Sequence, residues 1–143
     1  MGVSGRIVTQ WSALGMATVP KISVLLRKGY GGAYFSLGAP GMGMDFNYAW
    51  PSADMGFVAP EVAVNIAHAR RIAQSDDPEA MRAELTDELR RASEPWGAAG
   101  KNYLHDIIRP RDTRATLLAS LEIARGSRGG FSERRLANWP TTF

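Results

Sequence analysis

Apolar positions follow helical spacing in three stretches of this chain and crowd together without polar interruption in a fourth. Over Arg6–Val19, Ile7, Trp11, Leu14 and Met16 stand among small Ala13 and Ala17, the pattern of a helix packed closely along one face. Pro20 ends it, because the residue before a proline is pushed out of the helical region. Over Glu61–Gln74, Val62, Ile66, Ala69 and Ile72 fall near helical spacing. Pro60 opens that helix in the first turn, where its missing N–H leaves no bond unmade. Over Glu79–Ser93, Met81, Leu85 and Leu89 mark the buried face, and Glu84, Asp87, Glu88, Arg90 and Arg91 alternate charge along the outside. The cluster Ser75-Asp76-Asp77-Pro78 supplies the cap and turn for this helix.

The unbroken run is Lys21–Arg27, with Ile22, Val24, Leu25 and Leu26. It is too uniformly apolar for a half-exposed strand and predicts a central one, in a sheet covered on both sides. Gly29-Tyr30-Gly31-Gly32 follows as a turn, and Gly32–Leu37 begins a helix. Gly38–Met44 is a tight or flexible turn, and Asn47–Trp50 and Ala53–Val58 are extended. Pro95–Lys101 is a short helix or turn, Tyr103–Ile108 a short strand, and Thr113–Ala124 a helix. Gly126–Gly130 breaks the structure. Residues 1–125 therefore form the folded part and 126–143 a basic, extended tail. The fold class is α/β, with too few strands to close a sheet. Either this is a small self-contained domain, or it is part of a larger layered fold whose other strands lie elsewhere.

The bulk numbers narrow the chemistry. At 143 residues with 45% apolar content the chain can bury a core as one domain. The net charge is +3, and much of the excess sits in the tail at Arg125, Arg128, Arg134 and Arg135. The basic residues form no stripe interleaved with aromatics, which argues against a nucleic-acid partner. A weak positive field suits an anionic cofactor or an acidic partner subunit better. There is no cysteine, so disulfides, thiolate catalysis and Cys-based zinc sites are excluded. His68 and His105 share no metal-ligand motif, and no metal is expected. No apolar run reaches the ~20 residues of a membrane span, and the first residues lack a signal-peptide or myristoylation pattern. The expectation is a cytoplasmic protein without membrane association.

The glycine cluster is the most informative chemical feature. A strand running into Gly29-Tyr30-Gly31-Gly32 presents backbone N–H groups with no Cβ in a ligand's way. Such a turn can hold a phosphate or an oxyanion, and spacing does not choose between them.

Five stretches, in order, carry a resemblance. They are Ala17-Thr18-Val19-Pro20-Lys21, Arg27–Tyr34 (RKGYGGAY), Asn47-Tyr48-Ala49-Trp50-Pro51, Pro60–Ile66, and Asp106-Ile107-Ile108-Arg109-Pro110 with Thr113-Arg114. Together they resemble the C-terminal part of the carboxyltransferase (beta) subunit of biotin-dependent acyl-CoA carboxylases, the propionyl-CoA carboxylase group. The resemblance implies a crotonase-like fold of ββα units stacked into a superhelix, here a partial C-terminal carboxyltransferase domain. It implies an enzyme component that moves a carboxyl group between carboxybiotin and an acyl-CoA. Biotin is then carried on a partner protein, and acyl-CoA is the substrate. The implied partners are a chain supplying the acyl-CoA-binding half and a biotin carboxylase or biotin carrier subunit, in a hetero-oligomer. The match lacks the front half of such a subunit, which implies either a separately encoded piece or a truncated relict. Two alternatives stay open: a non-catalytic assembly or regulatory subunit, and a biotin-independent crotonase-type enzyme acting on CoA thioesters.

By the same resemblance, the backbone amides of Gly32 and Ala33 form the biotin-side oxyanion hole, and Gly31 and Tyr34 complete the cofactor-binding stretch. Negative charge gathers on the ureido oxygen of biotin when the carboxyl leaves, and pre-aimed donors stabilise it. The other reading is an ordinary strand-to-helix turn. Phe35 stands where many members of the group carry an acidic residue. It is assigned to the substrate pocket, where it favours longer acyl chains, or else to core packing. Tyr48, Trp50 and Pro51 are expected to pack under the sheet. Asp45 orients the glycine loop or caps a turn, and His68 is solvated or faces a partner. His105 and Asp106, adjacent in a strand, point to opposite faces and form no dyad. Arg109, Arg111 and Arg114 hold an anion or make ordinary ion pairs.

Overall fold

The computed structural model describes residues 13–15, 17, 19–36, 38–39 and 42–126. Two ββα coils lie one against the other. The first runs β1 (Ile22–Leu25), β2 (Lys28–Tyr30) and α1 (Gly31–Ser36). The second runs β3 (Phe46–Ala49), β4 (Asp54–Gly56) and the helices α2 (Pro60–Ala67), α3 (Ala69–Ala73) and α4 (Pro78–Ala92). After α5 (Pro95–Gly100) a third coil contributes only β5 (Asp106–Ile107), a 3-10 turn (Pro110–Asp112) and α6 (Thr113–Gly126).

Strands of successive coils pair in parallel. β1 pairs with β3 from Ile22 opposite Phe46 to Leu25 opposite Ala49, and β3 pairs with β5 at Tyr48–Asp106 and Ala49–Ile107. β2 pairs separately with β4, from Lys28 opposite Asp54 to Tyr30 opposite Gly56. Each coil thus stacks on the last through its strands, as solenoid repeats do.

The central strand is β3. Asn47, Tyr48 and Ala49 are buried, whereas every residue of β1 is only half-buried. Among the described residues the apolar run forms the edge of its sheet, paired on one side only, with β3.

Two small cores hold the layers. Ala49, Ala53 and Leu104 are packed by Leu25, Met55, Ala98, Ala99 and Ile107 between strands and α5. Val64, Ile72 and Leu85, with Met81 and Leu89, join α2, α3 and α4. The expected face of α4 is the observed one. That of the preceding helix is not: Val64 is fully buried, while Val62 and Ile66 are 49% and 73% exposed. His68 (φ −125°, ψ 11°) breaks the expected single helix into α2 and α3, so one helical period does not run through it.

α4 starts as expected, with Pro78 in its first turn and the Asp77 carboxylate accepting from the Ala80 N–H at 3.0 Å. Of the strand expected over Tyr103–Ile108, only Asp106–Ile107 forms. Asn102 turns the chain there in the left-handed region (φ 60°), which asparagine tolerates. The helix expected over Arg6–Val19 falls mostly outside the described residues, of which 13–15 are helical. The tail expected over 126–143 lies outside them beyond Gly126.

Candidate functional site

The β2–α1 junction carries three glycines, each present for a different reason. Gly29 is buried inside β2, where a Cβ would stand 2.7 Å from Leu25 Cδ1 and 3.0 Å from Tyr34 Cδ2. A side chain there would have to displace Leu25 or Tyr34, and residues 28–30 are strand, not the turn the sequence suggests. Gly31 turns the chain at φ +59°, and its Cβ would approach the Phe57 carbonyl oxygen to 3.3 Å. At Gly32 a Cβ would meet nothing within 4 Å. Gly32 and Ala33 are both exposed, in the first turn of α1. Among the described residues nothing occupies the place of a side chain at 32.

Tyr34 and Phe35 turn the other way. Both are half-buried, with ring centroids 5.8 Å apart, and Phe35 lies 6.5 Å from Phe57. They border a cavity of ≈ 440 Å³. Its other walls come from β4 and the residues after it (Met55, Gly56, Phe57) and from α5 and the turn beyond (Gly97, Ala98, Lys101, Tyr103), with Ala92 and Glu94 alongside. The Met55 N–H donates to the Ser93 carbonyl at 2.8 Å, tying β4 to the end of α4 beside this cavity. Burial pushes the Tyr34 phenol up to about 12. Tyr30 is also raised, first by burial and then by the Asp54 and Glu61 carboxylates, against a hydrogen bond with Ser93. Both phenols stay protonated across the neutral range.

The expected site residues Gly31, Gly32, Ala33, Tyr34 and Phe35 are contiguous, with Gly32 and Ala33 outward, Gly31 against the Phe57 backbone and the two aromatics toward the cavity. Phe57 and the α5 segment were not legible as neighbours. The one available signal is Gly97-Ala98-Ala99-Gly100, a run of small residues that permits close approach.

Several of the remaining candidates make structural contacts, while Pro51 is exposed. Tyr48 is buried and stacks on Phe46 (6.0 Å, 5° between planes), and the Trp50 indole donates to Thr113 Oγ1 at 2.9 Å. The Asp45 carboxylate accepts from the Lys21 N–H at 2.7 Å, so its bond goes to the start of β1. His105 Nδ1 accepts from the Asn47 N–H at 3.0 Å, while Asp106 accepts from the Ile107 N–H, and the two make no dyad. Arg109 pairs with Asp112 at 2.6 Å, an exposed i,i+3 pair. His68 is half-buried at the α2–α3 break. No group of three or more His, Asp or Glu among the described residues is placed to hold a metal ion. No described helix is long and apolar enough to cross a membrane.

Comparison with known proteins gives one consistent result. The family described as the carboxyl transferase domain matches residues 3–137. The chain is 39% identical over 125 residues to the propionyl-CoA carboxylase carboxyltransferase subunit of Haloferax mediterranei, covering 87% of this chain and 24% of that protein. It is 40% identical over 125 residues to the methylmalonyl-CoA carboxyltransferase 12S subunit of Propionibacterium freudenreichii, with the same coverage. Among solved structures, transcarboxylase 12S with methylmalonyl-coenzyme A and methylmalonic acid bound superposes at a TM-score of 0.86 and 37% identity. That match covers 97% of this chain and 27% of that one. The chain therefore spans about a quarter of the length of the relatives it matches. The α/β, crotonase-like fold expected from the sequence is the fold observed, present in part.

Proposed function

The chain belongs to the carboxyl transferase domain family, and from that premise we propose that it is the biotin-side part of an acyl-CoA carboxyltransferase, moving a carboxyl group between carboxybiotin and an acyl-CoA within a multi-subunit complex. The observation that carries the proposal is the β2–α1 junction. Gly31 makes the turn, Gly32 and Ala33 are exposed, no described residue lies within 4 Å of where a Gly32 Cβ would stand, and the resemblance puts the biotin oxyanion hole at those two amides.

The residues present fit the group. Carboxybiotin, when bound, supplies the carboxyl group and then a base for the acyl-CoA α-proton. The Gly32 and Ala33 amides would hold the group by donating to its ureido oxygen, and such pre-aimed donors would supply electrostatic stabilisation of negative charge there. Gly31 fixes the direction of those amides by holding the turn. Tyr34 and Phe35, on the same helix, line one side of a largely apolar open cleft beside them.

The rest of the family's fold is proposed to come from elsewhere, on this polypeptide or another. The Lys21 and Leu25 carbonyls accept from Asp45, Phe46 and Trp50 on the β3 side. Parallel pairing alternates direction residue by residue, so the backbone groups of Ile22 and Val24 face the opposite edge. No strand lies there among the described residues. An apolar open edge of this kind invites pairing. The proposed partners are a part supplying the acyl-CoA-binding half and a biotin carboxylase or biotin carrier subunit, in a hetero-oligomer and in a cytoplasmic setting. The chain by itself is expected to be oligomeric or aggregated. A monodisperse monomer with a sharp melt in sedimentation and calorimetry would contradict that.

The functional test is transfer of labelled carboxyl from carboxybiotin to acyl-CoA by the assembly purified with this chain. Label in the acyl-CoA that disappears when the chain is omitted supports the proposal. Transfer that proceeds equally without the chain overturns it.

A further inference from the structure

We infer that Tyr30 is a positioning residue of the carboxyl-transfer site: its ring, laid against Gly56 of β4, holds the turn at Gly31 in the direction that aims the Gly32 and Ala33 amides. The inference rests on the carboxyltransferase reading and adds to it a side chain that acts only through the backbone of the turn.

Two consecutive glycines, 31 and 32, have little backbone preference of their own, because glycine enters left- and right-handed conformations about equally. The direction of the turn is therefore set by what flanks it. On the helix side Tyr34 packs back onto β2, its Cδ2 atom 3.0 Å from where a Gly29 Cβ would stand. On the strand side the flanking residue is Tyr30, the last of β2, half-buried and paired with Gly56. Its Cε1 and Cδ1 atoms lie 3.6 and 3.7 Å from where a Gly56 Cβ would stand, so one edge of the ring borders that place. A β-branched side chain at 56 brings methyl groups to that edge.

The ring is tied at its far end as well. The phenol is hydrogen-bonded to Ser93, the C-terminal cap of α4. The Ser93 carbonyl in turn accepts from the N–H of Met55, the strand residue before Gly56, at 2.8 Å. The residue after Tyr30 is Gly31, where a Cβ would stand 3.3 Å from the Phe57 carbonyl oxygen. Residues 30 and 31 of the first coil are thus seated on residues 56 and 57 of the second, and the two amides follow directly. A misplacement of about 1 Å at a reacting centre can cost on the order of 100-fold in rate, so a ring that fixes the turn bears on the chemistry without touching it.

The experiment measures carboxyl transfer from carboxybiotin to acyl-CoA by the assembly purified with this chain, at a temperature below the melting of every variant compared. Tyr30→Leu removes the ring and should lower kcat at least about tenfold, with the KM for acyl-CoA and the sedimentation of the assembly unchanged. Tyr30→Phe keeps the ring and should retain most of the parent rate. Gly56→Val should slow transfer as Tyr30→Leu does, whereas Gly56→Ala, whose Cβ makes ordinary contact, should not. The double variant Tyr30→Leu with Gly56→Val should be no slower than the slower single one, because both act on one contact. Tyr30→Leu working at the parent rate overturns the inference, and so does Tyr30→Phe as slow as Tyr30→Leu, or effects that multiply in the double variant. Where Tyr30→Leu does not assemble, Gly56→Val reads the same contact from the facing strand, and the parent rate there overturns the inference. Failure of the carboxyltransferase reading is separate: it shows as no transfer from carboxybiotin by the parent assembly, before any variant is compared.

Discussion

The phenol of Tyr48 and the hydroxyl of Ser120 meet at 2.7 Å in the interior, joining the central strand β3 to the last helix α6 across 72 residues of chain. Ser120 also donates to the Thr116 carbonyl at 2.7 Å, so its single proton is committed and it is Tyr48 that donates to Ser120. The two ends of this bond are therefore not equivalent. Tyr48→Phe leaves Ser120 with its bond to Thr116 and should cost about 1 kcal/mol, whereas Ser120→Ala strands a buried phenol and should cost about 1–3 kcal/mol. Urea unfolding of the two variants checks the order, and a larger loss for Tyr48→Phe would contradict the assigned direction.

The glycines of the β2–α1 junction separate folding from chemistry. Gly29→Ala forces a Cβ against Leu25 and Tyr34 and should destabilise by roughly 1–3 kcal/mol, as overpacking does. Gly32→Ala meets no described residue and should leave thermal stability near that of the parent. Calorimetry of the pair is the check, and equal melting temperatures would show that the junction relaxes freely around residue 29.

Much of this arrangement was legible along the chain, and the remainder was not for identifiable reasons. α4 follows from its period and from Asp77 and Pro78, which are local signals. β2 was hidden because Gly29 reads as a turn, although it is glycine to admit the side chains of Leu25 and Tyr34. The buried face of α2 was misplaced because the break at His68 is set by packing on α4, where Val64 and Ile72 meet Leu85. β1 has the composition of a central strand and, among the described residues, is paired on one side only. Gly31–Phe35 was found through the resemblance, while Phe57, Gly97 and Lys101 come from segments whose nearness is purely tertiary.

Alkaline stability should report on Tyr34. Its folded pKa is raised from 10.0 to about 12, so the folded state holds the phenolic proton more tightly than the unfolded chain. That contribution is complete below pH 10, the unfolded value, and is lost as pH rises from 10 toward 12. Denaturant midpoints measured from pH 9 to 11.5 should fall less steeply for Tyr34→Phe than for the parent. Parallel curves would mean that the phenol is solvated in the folded chain.

Phe35 should influence acyl-chain preference. Phe35→Asp puts a carboxylate into the apolar cavity and should shift the ratio of kcat/KM values toward acetyl-CoA and away from butyryl-CoA, by several-fold per methylene. Competition among acetyl-, propionyl- and butyryl-CoA on the assembled enzyme reads this directly. An unchanged order would make Phe35 a packing residue against Phe57.

The central claim is that the backbone amides of Gly32 and Ala33, both exposed residues, stabilise the charge left when a carboxyl departs from carboxybiotin. Ala33→Val places a branched side chain beside those amides, on an exposed position where the fold need not change. The direct measurement is the rate of carboxybiotin decarboxylation and carboxyl transfer by the assembled enzyme carrying Ala33→Val, beside Ala33→Gly. Loss of such a contact lowers the rate by on the order of 100-fold or more, so Ala33→Val should fall by that much and Ala33→Gly should retain most activity. An assembled Ala33→Val enzyme working at the parent rate would contradict the account and leave the chain a non-catalytic part of its complex.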